Sequence, residues 1–283
     1  MALNMMYITN DPAVARIAEE NGVDRIWVDL EFIGKSARQG GMDTVQSHHT
    51  IEDIRAIRAA VTKAEVLVRV NPIHAATPDY GSSMWEIDAA VEAGADVLML
   101  PYFKTVQEVQ LFLALVGGRA KTMLLVETPE AVEHIDEILA LDGIDEIHIG
   151  LNDLSLGYGM KFMFELLADG TVERLCLKFR EKGIPYGFGG IAALGKGMLP
   201  AERVIREHYR LGSTRVILSR SFCNTSLVTD RDEIAEIFRT GMAEIRALEA
   251  ECAEHADYFW SNRAAVEQGV ADVVAAIRAK ERA

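Results

Sequence analysis

The sequence predicts an α/β fold, a (β/α)8 TIM barrel with a C-terminal helical extension, and three observations carry that prediction. Short apolar or β-branched runs alternate with stretches of helical periodicity. Eight such runs occur, and the 283 residues are close to the roughly 250 that a barrel of this kind takes. Runs such as Val66-Leu67-Val68 and Val97-Leu98-Met99-Leu100 lack polar alternation, as strands buried on both faces do.

The first run, 4–8, leads through Asp11-Pro12, a cap followed by proline in the first turn, into a helix over 12–20. Strand 25–30 is followed by a long polar, glycine-bearing stretch over 33–50 and a helix over 51–61. Strand 65–70 precedes a helix at 85–93, closed by Gly94; strand 96–100 precedes a helix at 106–115. Strand 122–126 runs into Thr128-Pro129 and a helix over 129–139. Strand 146–149 comes next, then helix 172–182 ending at Gly183, strand 185–188, helix 201–209 ending at Gly212, and strand 215–218. Alternation of this kind implies parallel strands with right-handed crossovers. A doubly wound open sheet is the competing topology, but no GxGxxG follows the first strand.

Two further helical segments, 233–251 and 264–280, flank Asp257-Tyr258-Phe259-Trp260. Residues 1–250 are therefore read as the barrel and 251–283 as an extension. The extension either caps its own barrel or docks on a neighbouring subunit, because the aromatic cluster would otherwise be exposed.

Composition narrows the partners. With 29 Lys+Arg against 43 Asp+Glu the net charge is −14, which argues against a nucleic-acid backbone. No apolar run reaches the roughly 18 residues of a membrane span, and the N-terminal segment lacks the layout of a signal peptide. Cys176, Cys223 and Cys252 form no CxxC pair, so neither a disulfide framework nor a zinc site is expected, and a reducing cytoplasm is.

In a parallel barrel the carboxyl ends of the strands converge on one mouth. Those ends carry Asp29 and Glu31, Arg69, Glu127, the run Gly150-Leu151-Asn152-Asp153-Leu154-Ser155, Gly187–Gly190 and Ser219-Arg220. Ionised groups gathered there are costly unless paired or metal-bound. Glu127 and Asp153 end adjacent strands and offer the hard oxygens that suit Mg2+ or Mn2+. Either acid alone reads equally well as a helix N-cap, and Arg69 beside both tips the balance toward a metal. Asp29, Glu31, Gly150 and Asn152 are expected to line the substrate, with backbone N–H groups over 151–153 available to a carboxylate. His48 and His49 lie in the long polar stretch, and one of them is expected to act as acid/base. His74 is a weaker candidate, His148 reads as core, and Arg220 as a partner for a distal anion or for a barrel acid. No lysine stands at a strand end, so Schiff-base chemistry is not expected.

Taken together, Asp29-Leu30-Glu31, Val68-Arg69-Val70-Asn71, Ala93-Gly94-Ala95-Asp96, Leu100-Pro101, Glu127-Thr128-Pro129-Glu130-Ala131 and the run from Gly150 to Ser155 resemble the HpcH/HpaI aldolase and citrate lyase β-subunit family. The resemblance implies a phosphoenolpyruvate/pyruvate-type barrel and a divalent cation held at Glu127 and Asp153. It also implies an enolate-contacting arginine at Arg69 and a carbon–carbon lyase joining a keto acid to an aldehyde through a pyruvate or oxaloacetate enolate. Citrate-lyase-like thioester cleavage and a non-catalytic binding barrel are the alternatives. Phe32 stands where HpaI-type aldolases carry a histidine, and Asp29-Leu30-Glu31 with Lys35 and Arg38 following leans toward the citrate-lyase branch. Barrels of this family are commonly trimers or hexamers, which implies a homo-oligomer.

Overall fold

The computed structural model describes residues 2–35 and 48–282; Arg38, Gln39, Met42 and Gln46, part of the polar stretch singled out above, lie outside them. Eight parallel strands close in sequence order into a barrel. They are β1 (Asn4–Ile8), β2 (Arg25–Asp29), β3 (Glu65–Arg69), β4 (Val97–Leu100), β5 (Lys121–Val126), β6 (Glu146–Ile149), β7 (Tyr186–Ile191) and β8 (Arg215–Leu218). The connecting helices are α1 (Pro12–Glu20), α2 (Ile51–Ala60), α3 (Ser83–Glu92), α4 (Val106–Val116), α5 (Pro129–Glu133) and α6 (Ile135–Ile138). They continue with α7 (Leu151–Gly157), α8 (Glu165–Ala168), α9 (Thr171–Glu181), α10 (Ala201–Leu211), α11 (Arg231–Glu254) and α12 (Phe259–Glu281).

The helix starts follow the sequence signals. Asp11 caps α1 by accepting from the N–H groups of Ala13 and Val14, and Thr50 and Thr105 form reciprocal capping boxes with Asp53 and Glu108. The single helix expected over 129–139 is broken at His134 into α5 and α6.

Strand residues alternate between two environments. Met6, Trp27, Leu67, Val97, Met99, Met123 and Leu125 fill the barrel interior, while their neighbours on each strand join a larger core beneath the helices. The amino-terminal end of the barrel is closed by charge. Buried Arg25 donates to Glu146 at 2.7 Å and to Glu65 at 2.7 Å, and Arg215 reaches the same Glu146 at 2.9 Å. Burial opposes ionisation of Glu146, but the two guanidinium groups outweigh it and bring its pKa down to about 2.

β7 departs from expectation. It continues through Gly189 and Gly190 to Ile191, with a register shift against β8 between Gly187 and Gly190. The reason is close approach, since a Cβ at Gly187 would lie 2.2 Å from the carbonyl oxygen of Arg215.

The extension folds back on this chain's own barrel, with α12 packed against α10 and α8. Asn262 pins it, donating to Glu207 at 2.8 Å and to the carbonyl of Arg203 at 3.1 Å. Trp260, at the start of α12, remains 80% exposed. The three cysteines are free and buried. No described helix is long and apolar enough to cross a membrane.

Candidate active site

A cavity of about 500 Å³ opens at the carboxyl ends of the strands, and it brings together residues from β3, β5, β6 and β8. Arg69, Glu127, Gly150, Asn152 and Asp153 all line it, as the strand-end reading expects. So do His148, Arg220 and an apolar wall that includes Phe162, Met163, Phe164, Met198 and Leu199.

Arg69 is locked in place from behind. Its Nε and one Nη donate to the two carboxylate oxygens of Asp29, each at 2.8 Å, a bidentate pair that fixes the plane of the guanidinium. Glu31 approaches the same Nη at 3.3 Å, and the guanidinium lies 4.9 Å from the centre of the Trp27 ring. Lys35 completes the cluster, donating to Asp29 at 3.0 Å and lying 3.6 Å from Glu31. Asp29, Glu31 and Lys35 are all buried. Burial opposes the charge on Asp29, yet Arg69 and Lys35 outweigh it and hold the carboxyl well below the usual carboxylate range. Burial likewise opposes the charge on Arg69, and the facing carboxylates Asp29 and Glu31 more than offset it.

Asp29 and Glu31, expected at the substrate, therefore sit behind Arg69 and outside the cavity lining. Lys35, noted above only as following Asp29-Leu30-Glu31, proves to be a buried partner of both acids. Its Glu31 neighbour four positions earlier was the available signal, but only the folded chain shows both side chains buried on the same arginine.

Glu127 is buried at the end of β5, where its Oε1 accepts the backbone N–H of Tyr102 at 3.0 Å. Tyr102 takes a left-handed φ of 48°, a conformation disfavoured for a residue with a Cβ. Gly150 makes room from the other side, because a Cβ there would lie 2.7 Å from both Cβ and Oε2 of Glu127. Asp153 stands in the first turn of α7, where Asn152 Nδ2 donates to its Oδ1 at 3.4 Å. Glu127 and Asp153 also share a smaller adjoining space of about 210 Å³ with Tyr102 and Thr128.

Their donor set fits the expected cation. One or two carboxylates are what Mg2+ ordinarily takes from protein, here Glu127 after β5 and Asp153 in the helix after β6, leaving positions for water and substrate oxygens. Among the described residues no group of three or more His, Cys, Asp and Glu gathers.

The histidine pair lies to one side. His48 and His49 line a separate space of about 410 Å³ with Leu30, Phe32, Tyr80 and Trp85. His49 Nδ1 accepts the backbone N–H of Asp29 at 3.0 Å, which places the ring's own proton on Nε2. Burial lowers its pKa and so favours the neutral ring. His74 is held by the carbonyls of Pro72 and Gly81, at 2.8 and 2.9 Å, and by Ser83 Oγ. His148 is fully buried as expected, its Nε2 bonded to the Gly189 carbonyl at 3.0 Å, and burial depresses its pKa to about 4.

A barrel with its polar groups at the carboxyl ends of β3, β5 and β6 defines a class of enzyme scaffold, and comparison with known proteins identifies the family. Residues 3–166, more than half the chain, match the HpcH/HpaI aldolase/citrate lyase family, and the chain belongs to it. The family's members are lyases of the aldolase and citrate lyase type. Among solved structures, the chain is similar to an HpcH/HpaI aldolase from Desulfitobacterium hafniense DCB-2, with 17% identity and a TM-score of 0.57 over 77% of this chain and 86% of that one. It is also similar to an HpcH/HpaI aldolase/citrate lyase family protein from Burkholderia cenocepacia J2315, with 16% identity and a TM-score of 0.60 over 83% of this chain and 95% of that one. At these identities the likeness speaks for the fold. A search of curated proteins gave no match.

Proposed function

We propose that this protein is a divalent-metal-dependent carbon–carbon lyase that makes or cleaves a 2-keto acid through a pyruvate or oxaloacetate enolate. The observation that carries the reading is the meeting of Arg69, Glu127 and Asp153 on one cavity. Glu127 and Asp153 would hold Mg2+ or Mn2+, which when bound supplies Lewis acidity to the keto and carboxylate oxygens of the substrate.

The chain's own residues do the rest. Arg69 presents a fixed guanidinium to the oxygen on which negative charge grows as the enolate forms. Because Asp29 and Glu31 already orient it, little reorganisation accompanies that step. Gly150 and Asn152 line the same cavity, and the substrate carboxylate would rest against them. The acid/base role is assigned to the His48–His49 pair, which lines the separate space of about 410 Å³ rather than this cavity, with His49 neutral and tied to the backbone of Asp29. Three buried thiols support a reducing, cytoplasmic setting, and exposed Trp260 supports self-association as a trimer or hexamer.

Deuterium exchange at the pyruvate methyl group, followed by NMR, tests this. Exchange should require Mg2+ or Mn2+ and fall on the order of a hundredfold in Glu127→Gln or Asp153→Asn, with the fold retained. Full exchange in verified metal-free protein, or stoichiometric metal still bound in both variants, would overturn it.

A further inference from the structure

The cavity lining is of two kinds. Arg69, Glu127 and Asp153 belong to its polar part, and an apolar part is built from Phe162, Met163 and Phe164, between α7 and α8, together with Met198 and Leu199, between β7 and α10. Phe162 and Phe164 meet edge to face with centroids 5.3 Å apart, which stiffens one part of this wall. Leu199 is 3% exposed and is backed by α12, where a Cβ at Gly269 would lie 3.2 Å from Leu199 Cδ1. Met198 is different. It lines the same cavity yet is 68% exposed, an adaptable apolar side chain at the rim with surface left to bury.

A volume of about 500 Å³ lies within the range of sites for drug-sized ligands, roughly 300–1,000 Å³, and exceeds what a three-carbon keto acid fills. The charged groups among the described lining residues are Arg69, Glu127, Asp153 and Arg220. Arg69 is already assigned to the enolate oxygen, and Arg220 already has an interaction within the chain. A charged tail placed against the phenylalanine and methionine wall would lose its water with little in return.

We propose that the part of the substrate remote from the enolate is an uncharged apolar chain or aromatic ring, seated on Met163, Phe164, Met198 and Leu199. The keto-acid partner or product would then be an alkyl or aryl aldehyde adduct. This assignment rests on the lyase reading given above for the polar part.

The test measures dissociation constants by calorimetry, using the full chain with Mg2+ and two 2-keto acids of equal length. One ends in a phenyl group and the other in a carboxylate. The phenyl-ended acid should bind about tenfold tighter, the scale set by burying one ring against an apolar wall. Met198→Lys, at an exposed position where folding is not at stake, should erase that preference, and Met163→Glu should do the same from the connection between α7 and α8. Equal binding, tighter binding of the acid-ended ligand, binding of neither, or an unchanged preference in both variants overturns the assignment. Methyl exchange on pyruvate separates the two proposals. Exchange without phenyl preference sinks the apolar seat alone, whereas phenyl preference without exchange keeps the seat and sinks the lyase reading.

Discussion

The two ends of the barrel use the same chemistry for different ends. At the amino-terminal end, Arg25 and Arg215 close on Glu146, with Glu65 beside Arg25, and the charges face one another. At the mouth, Arg69 and Lys35 close on Asp29 and Glu31, but Arg69 also borders a cavity shared with Glu127 and Asp153. Both clusters are buried ion-pair networks, which add little net stability over a packed apolar core and are strongly destabilising only when broken. What differs is whether a charged group has a face left for a ligand. Networks of this sort seal the floor at one end and aim a side chain at the other.

Breaking one partner at each end separates the two roles. Arg25→Met should have the largest effect, removing roughly 3–5 kcal/mol of stability by leaving Glu146 and Glu65 without it, measured by urea unfolding. Activity of the protein that still folds should be retained, and a large loss of kcat with unchanged stability would reverse the comparison. Arg69→Met should do the opposite. The kcat for keto-acid turnover should fall roughly 10²–10³-fold, as when one oxyanion donor is removed. Lys35 still pairs with Asp29 there, as Arg215 still pairs with Glu146 at the floor, so kcat rather than Tm is what separates the two variants.

Acid titration sharpens the contrast more gently. His148, at the cavity, has its pKa lowered by burial from 6.5 to about 4. Its contribution to stability is therefore complete above pH 6.5 and is lost as pH falls toward 4. Glu146, at the floor, is lowered from 4.5 to about 2, so its contribution is complete above pH 4.5 and lost as pH falls toward 2. Stability measured against pH should fall in two stages. His148→Gln should remove the upper one and Glu146→Gln the lower one; a single stage unaffected by either variant would count against the assignment.

The fold was legible because its signals are local. Caps such as Asp11 and Thr128, and unbroken apolar runs such as 97–100, depend on neighbours in the chain. Glu127, Asp153 and Arg69 were legible for the same reason: a strand end in a closed parallel barrel already defines a place. The supports were not. Lys35 meets Asp29 only because the chain turns after β2, and His49 reaches the backbone of Asp29 across 20 positions. The apolar wall is the clearest omission. Phe162 to Phe164 and Met198 lie in connections of no regular period, and nothing in their spacing tells which side of the mouth they cover. β7 runs past its expected end at residue 188, and Gly187 permits the close approach to β8.

Gly150 shows how small the margin around Glu127 is. The next residue up in size adds a single carbon, and that carbon would arrive 2.7 Å from the carboxylate and its stem. Glu127 would have to rotate or the end of β6 would have to retreat, and either movement changes the distance between the acids of adjacent strands. The spacing of the two carboxylates is thus gauged by an atom that is missing from the sequence, and the most conservative substitution available at position 150 falls on the least forgiving dimension of the site.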